Sequence, residues 1–188
     1  MKLILASASP RRAELLQSAG IEFEVCPAEV DEGSGPGESP EDLVCRLSRE
    51  KAEAVGARFP DAVVLAADTV VVFDEKIYGK PSSAGEAAAM LADLSGDMHE
   101  VMTGFTLLRP GRPPFTDRVT TLVSFRELSE AEIRNYVASG EPMDKAGAYG
   151  IQGGAAGFVS RIEGSYSNVV GLPLAEVIQQ LRDETPLS

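Results

Sequence analysis

One histidine, two cysteines and no long apolar run are what this chain of 188 residues has least of, and each scarcity closes off some chemistry. His99 is the sole histidine, so any Ser-His-Asp or Cys-His scheme would have to run through it. No nucleophile motif stands near it, and it reads as a structural or surface residue. Cys26 and Cys45 are lone residues without CxxC spacing, which suggests neither a zinc site nor a disulfide framework. The apolar part of MKLILASASPRR is far too short for the h-region of a signal peptide, and nothing later approaches a membrane span. The cytoplasm is therefore expected. Cations are outnumbered, 17 Lys and Arg against 29 Asp and Glu, for a formal net charge of −12. A nucleic-acid polymer or an anionic membrane is thus a poor partner, whereas a small anionic nucleotide needs only a local cluster of cations, helped by a divalent metal. Internal repeats, low-complexity tracts and interdomain linkers are missing too.

What is present is an ordinary globular composition, 44% apolar and 24% charged, in a length that suits one generous domain or two small ones. The most informative stretch is VVLAADTVVVFDEKIYGKP, residues 63–81. Its β-branched apolar run reads as a strand buried on both faces, and Asp68 falls in the middle of it. An ionised carboxylate there needs a partner, so Asp68 either holds a metal or a proton in a cleft or is satisfied by a structural cation. The run breaks at Asp74-Glu75 and resumes as Lys76-Ile77-Tyr78, a hairpin that brings Lys80 back towards the same neighbourhood.

Met1 to Ala6 reads as a short buried strand. The following SASPRRAELLQSAG predicts a helix with Ser9 as N-cap, Pro10 in the first turn and Gly20 as its end. Arg11 and Arg12 then sit in the first helical turn, the wrong end for cations by dipole logic. They either cradle a phosphate with the serines and free N–H groups or are solvated and paired elsewhere. Ile21 to Val25 reads as a second strand, leading into an acidic, glycine-rich loop in which Glu29 and Asp31 could join Asp68 around a cation, or could simply be solvated. Ser39-Pro40 starts a long helix on which the pattern makes Lys51 an exposed lysine.

Ser83 and Glu86 predict a capping box for an alanine-rich helix, and Ser129 and Glu132 another, stopped by Gly140. Between them, residues 99–109 and 115–126 read as two long antiparallel strands. The glycines from 147 to 171 suggest a loop whose backbone closes on a ligand, then a strand near Phe158 to Ile162, a polar turn and a last helix from Pro173 to about Arg182; no P-loop or dinucleotide fingerprint is among them. Pattern alone licenses a phosphate-handling protein of mixed α/β class.

Taken together, SASPRR, EVDE, SREKA, AADTVV with GKP, and DKAGAYGIQG followed by IEGSYSNVVGLPL resemble the Maf family of nucleoside triphosphate pyrophosphatases, in order and over residues 3 to about 178. The resemblance implies a single domain, 1–188, with two lobes about one cleft: an elongated, twisted mixed sheet with helices packed around a central nucleotide-binding cleft, similar to the inosine triphosphatase group. It implies hydrolysis between the α- and β-phosphates with a divalent cation, Mg²⁺ or Mn²⁺. Asp68 would be the general base or would orient the water through the metal, with Glu29 completing the metal site. Ser7, Ser9, Arg12, Lys51 and Lys80 would bind the triphosphate, and Arg11, Thr69 and Gln152 match positions tied to substrate choice. A carboxamide offers both a donor and an acceptor to the imide edge of uracil or thymine.

DKAGAYGIQG resembles the branch acting on dTTP and UTP rather than the one acting on 7-methyl-GTP, and modified pyrimidine nucleotides are further expected substrates in a pool-cleaning role. A homodimer and an association with inhibited septum formation also come with the resemblance. Two other readings stand beside it. One is a regulatory module that senses a triphosphate without turning it over; the other is a purine house-cleaning pyrophosphatase.

Overall fold

The computed structural model describes residues 2–182; the Met1 end of the first expected strand lies outside them. Strands β1 (Leu3–Leu5), β2 (Glu24–Val25), β3 (Val63–Phe73), β4 (Lys76–Tyr78), β5 (Met98–Leu108), β6 (Phe115–Phe125) and β7 (Val159–Glu163) form one sheet, ordered β2-β1-β3-β5-β6-β7 with β4 on β3. The sheet is mixed: β1 pairs β2 and β3 in parallel, and β3–β4 and β6–β7 are antiparallel. Helices are α1 (Pro10–Ser18), α2 (Pro40–Gly56), α3 (Ala84–Leu94), α4 (Glu130–Ala138), α5 (Tyr166–Val170) and α6 (Leu174–Arg182). The expected α/β class is thus observed. The chain divides into two compact units, the first of Met1–Asp68, Thr103–Val119 and Gly171–Ser188, the second of Thr69–Met102 and Thr120–Val170.

In the first unit, β1 and the start of β3 alternate their side chains between two cores, as the period of a strand requires. Leu3, Leu5, Val63 and Leu65 join Leu16, Phe105, Leu107 and Leu172 on one face. Ile4, Val64 and Ala66 meet Ala52 and Val55 of α2 on the other. A strand covered on both sides must be apolar at every position, which is why the run around Asp68 reads as it does. The α2 helix starts where expected: Ser39 Oγ accepts from the Asp42 N–H, with Pro40 in the first turn. It lies against β5 at Gly104, where a Cβ would stand only 2.4 Å from the Val44 carbonyl oxygen. Buried Ser48 of α2 also shares a 2.8 Å hydrogen bond with Thr106.

The second unit has its own core of Val71, Tyr78, Leu91, Leu94, Val101, Phe125, Tyr136, Tyr149 and Phe158 among others. The β3–β4 hairpin closes in register, Val71 opposite Tyr78 and Phe73 opposite Lys76. Asp74 and Glu75 both take positive φ, 49° and 61°, the backbone of a two-residue type I′ turn. The α4 helix carries the full predicted capping box between Ser129 and Glu132, and Gly140 leaves it with φ 76°.

The predicted box on α3 forms by halves. Ser83 accepts from the Glu86 N–H, but the Glu86 carboxylate accepts instead from the N–H and hydroxyl of Ser82. The second strand is shorter than expected, and the polar turn after β7 contains the short helix α5. Both cysteines are free, and no helix among the described residues is long and apolar enough to cross a membrane.

Candidate active site

Strand β1 runs into the turn that holds Ser7. Its backbone is still in the ladder at Ala6, whose N–H bonds the Leu65 carbonyl 2.8 Å away. Ser7 is buried, and its hydroxyl accepts from the Ser9 N–H at 3.2 Å and from Arg12 Nη1 at 3.1 Å. Ser9 occupies the N-cap position of α1, but its side chain makes no capping bond. Arg12 Nε donates to the Gly171 carbonyl at 2.7 Å. Its guanidinium is therefore held from two sides and is not a freely solvated surface group. Burial lowers its proton affinity, with the nearby Arg11 acting in the same direction and the charges of Asp68 and Glu32 opposing it; a guanidinium stays protonated throughout.

Asp68 meets a cation rather than standing alone. Lys51 Nζ lies 2.5 Å from Asp68 Oδ1 and 2.6 Å from Glu32 Oε1, with the lysine 7% and the aspartate 8% exposed. The reading of Lys51 as an exposed helix lysine is thereby corrected. It lies in the buried stripe Val44, Leu47, Ser48, Lys51, Val55, two helical turns beyond the Gly104 contact that presses α2 onto the sheet. Lys51–Asp68 is a desolvated pair that depends on both members being present. The bridge to Glu32, whose side chain is 45% exposed, contributes at most about 1 kcal/mol. The three charges sum to −1, and Arg12 feels both acids.

Glu29 is exposed. Asp31 is exposed too and accepts from the Gly33 N–H. The loop acid that reaches Lys51 is Glu32, which residue-level reading of the EVDE string passed over. Alternation along a loop gives no facing rule, so only the motif as a whole pointed there.

No group of three or more His, Cys, Asp or Glu that could hold a metal ion occurs among the described residues. The donor set nevertheless suits a hard divalent cation. Asp68 and Glu32 present carboxylate oxygens about one ammonium, and Mg²⁺ characteristically takes one or two carboxylates, keeps several waters and completes its shell from substrate phosphates. The residues fit Mg²⁺ or Mn²⁺ as part of a triphosphate complex rather than as an all-protein cage.

Thr69, Lys80 and Gln152 belong to the second unit. Thr69 is half-buried and follows Asp68 on β3, so the two project to opposite faces of the strand. Lys80 is exposed, two residues past β4. Gln152 is half-buried in the glycine-rich segment between two 3₁₀ turns, 146–148 and 154–158.

Four of the glycines in this segment are packed closely, whereas Gly157 has nothing within 4 Å. The space a side chain would take is filled by the protein: Val71 at Gly147, Lys145 at Gly150, Glu141 at Gly153, and Glu141 with Tyr136 at Gly154. His99 is structural, 2% exposed, with Nε2 2.8 Å from the Tyr149 hydroxyl.

The chain matches the family model described as Maf-like protein over residues 2–184. It is 57% identical to the dTTP/UTP pyrophosphatase of Geotalea uraniireducens over 181 residues, covering 96% of this chain and 93% of that one. It is 55% identical to the dTTP/UTP pyrophosphatase of Syntrophus aciditrophicus, covering 97% and 89%. Among solved structures, the Ham1 protein of Staphylococcus aureus superposes with a TM-score of 0.56 over 98% of this chain and 100% of that one, at 13% identity, a likeness of fold alone.

Proposed function

The chain belongs to the Maf family, and from that membership we infer that it is a dTTP/UTP pyrophosphatase, releasing the nucleoside monophosphate and pyrophosphate. The observation that carries the reading to particular atoms is the Lys51–Asp68 contact at 2.5 Å. A purely regulatory binding module has no use for a buried carboxylate close to the phosphates, where it repels them unless a cation intervenes.

In the reaction, a water oxygen attacks the α-phosphorus, the bond to the α–β bridging oxygen breaks, and pyrophosphate leaves with the electron pair. Asp68 takes the proton of that water, or orients it, and Lys51 holds the carboxylate in place. Arg12, oriented by Ser7 and the Gly171 carbonyl, brings its positive charge to the phosphates. With Ser9, Lys51 and Lys80 it neutralises the charge that builds on the leaving group, and Arg11 belongs with the residues of substrate choice. Asp68 and Glu32 would hold a divalent cation; Glu29, exposed on the same loop, forms no three-carboxylate group with them among the described residues. When bound, the cation supplies Lewis-acid polarisation of the phosphates and the attacking water. Thr69 and Gln152 are assigned to base choice, the carboxamide pairing with the imide edge of the pyrimidine.

The enzyme is placed in the cytoplasm, acting on free and modified pyrimidine triphosphates as a pool cleaner, and assembling as a homodimer. The net charge of −12 supports free nucleotides over polymers as its partners.

Phosphorus NMR of the purified protein with dTTP, UTP, CTP, GTP and 7-methyl-GTP, in Mg²⁺ or Mn²⁺, tests the reaction. Pyrophosphate and monophosphate from dTTP and UTP are expected. Orthophosphate would place attack at the γ-phosphate, and a preference for GTP would favour a purine house-cleaning role.

A further inference from the structure

Gln152 sits in a segment that is gripped on both sides. The Gly150 N–H donates to the Tyr136 hydroxyl at 3.3 Å, and that hydroxyl donates to Glu141 Oε1 at 3.1 Å. The Gly154 N–H donates to the other oxygen, Oε2, at 3.2 Å. One carboxylate thus ties down both ends of a five-residue stretch, directly at 154 and through a phenol at 150, with Gln152 at its centre. Gly153 takes φ 88° and ψ −144°, a backbone that favours glycine. A Cβ there would lie 2.8 Å from Glu141 Oε1, and one at Gly154 would lie 3.1 Å from both Glu141 Oε2 and the Tyr136 ring. The glycines admit the clamp.

The clamp itself stands on rigid parts. Tyr136 is buried on α4, whose start is locked by the Ser129–Glu132 box and by Arg126 on Glu132 at 2.6 Å. Glu141 follows the Gly140 turn, its N–H on Ser139 Oγ and its carbonyl accepting from Lys145 Nζ at 2.6 Å. Among the described residues nothing bonds the Gln152 carboxamide. Its backbone is held while its side chain is left for a ligand, the division of labour expected where a recognition group must be pre-set.

We propose that Glu141 is a positioning residue for base preference, acting through Tyr136 and the amides of residues 150 and 154 to hold Gln152 in one conformation. This rests on the assignment of Gln152 to the pyrimidine.

The test compares kcat/KM for dTTP and GTP, and amide hydrogen exchange across residues 149–155, in wild type, Glu141→Ala, Glu141→Gln, Tyr136→Phe, Gln152→Ala and the Glu141→Ala/Gln152→Ala double variant. Removing the clamp should lower the dTTP-to-GTP ratio by about tenfold, since small displacements of a recognition group are costly. It should speed exchange at 150 and 154, and should add nothing once Gln152 is gone. Glu141→Gln and Tyr136→Phe, which keep the volume, should shift both readouts in the same direction by less, and they carry the test should Glu141→Ala fail to fold. An unchanged ratio in the clamp variants while Gln152→Ala lowers it, or additive losses in the double variant, would overturn the inference and leave the Gln152 assignment standing. An unchanged ratio in Gln152→Ala would remove that assignment and the inference with it, whatever the exchange data show.

Discussion

Lys51 answers two carboxylates, so taking its charge away should be felt twice. Lys51→Met keeps most of the stem's packing but leaves Asp68, 12% exposed at its side chain, with no ammonium beside it. We expect a loss of roughly 2–4 kcal/mol in urea unfolding at neutral pH, together with loss of turnover. Unaltered stability would mean that water already satisfies Asp68. The complementary change, Asp68→Asn, retains an oxygen that accepts from Lys51 but cannot take a proton. Turnover should fall about a thousandfold with the fold kept but the melting temperature lowered, because buried Lys51 is left with Glu32 alone, and wild-type rates would remove Asp68 as the base. Asp68 was legible in the sequence because an acid inside an unbroken apolar strand has no inconspicuous reading. Lys51 was less so, since lysines are common on exposed helix faces. Its spacing four residues after Leu47 and four before Val55 was the available sign that it shares the buried stripe. Glu32 had no such sign, because loops lack the periodicity that tells which side chains face inwards.

The element that delivers Lys51 is α2, and what seats α2 is the absence of a side chain at Gly104. A methyl group there would stand 2.4–2.9 Å from Val44 O, Val44 C and Cys45 N, all backbone atoms in a helix that cannot yield locally. Gly104→Ala should therefore lift the helix, cost about 2 kcal/mol and lower kcat/KM more than stability alone would explain. Denaturant titration and initial rates check this. Gly157→Ala, with nothing within 4 Å, is the control expected to stay within about 0.5 kcal/mol. Loss of stability with full activity would show that Lys51 does not depend on the seating. Most elements were legible from caps and periodicity: Ser39 and Pro40 before α2, the Ser129–Glu132 box, the Asp74-Glu75 break. Misreadings arose where local chemistry had more than one outlet. Glu86 finds two donors on Ser82 in place of the box, and the five residues of α5 are too few to show a helical period. At the glycines from 147 to 154, only their neighbours in space reveal that Val71, Lys145, Glu141 and Tyr136 fill the room a side chain would take.

For the whole molecule, the alternation of strands and helices was enough to indicate a mixed α/β sheet, because each strand's pattern records how many of its faces are covered. A histidine's surroundings are not recorded that way, and His99 has a consequence for the stability of the entire chain. It is enclosed by Phe125 and Tyr149, with ring centroids at 4.9 and 5.4 Å, and its Nδ1 has no hydrogen-bond partner among the described residues. Burial pushes its pKa down from 6.5 to about 4, so the folded protein resists a proton that the unfolded chain accepts. Stability should be full above pH 6.5 and decline as pH falls towards 4, by roughly 3 kcal/mol if the whole shift is expressed. Glu38 and Glu132 are held down to about 2, chiefly by Arg46 and Arg126, so what they contribute is lost only below about pH 4.5. The interval from 6.5 to 4.5 therefore isolates the histidine. His99→Gln keeps a group that can bond the Tyr149 hydroxyl and does not titrate. Urea unfolding of both proteins across that interval should show the wild type losing stability while the variant stays flat. Parallel curves would mean that His99 is hydrated or already protonated in the folded state.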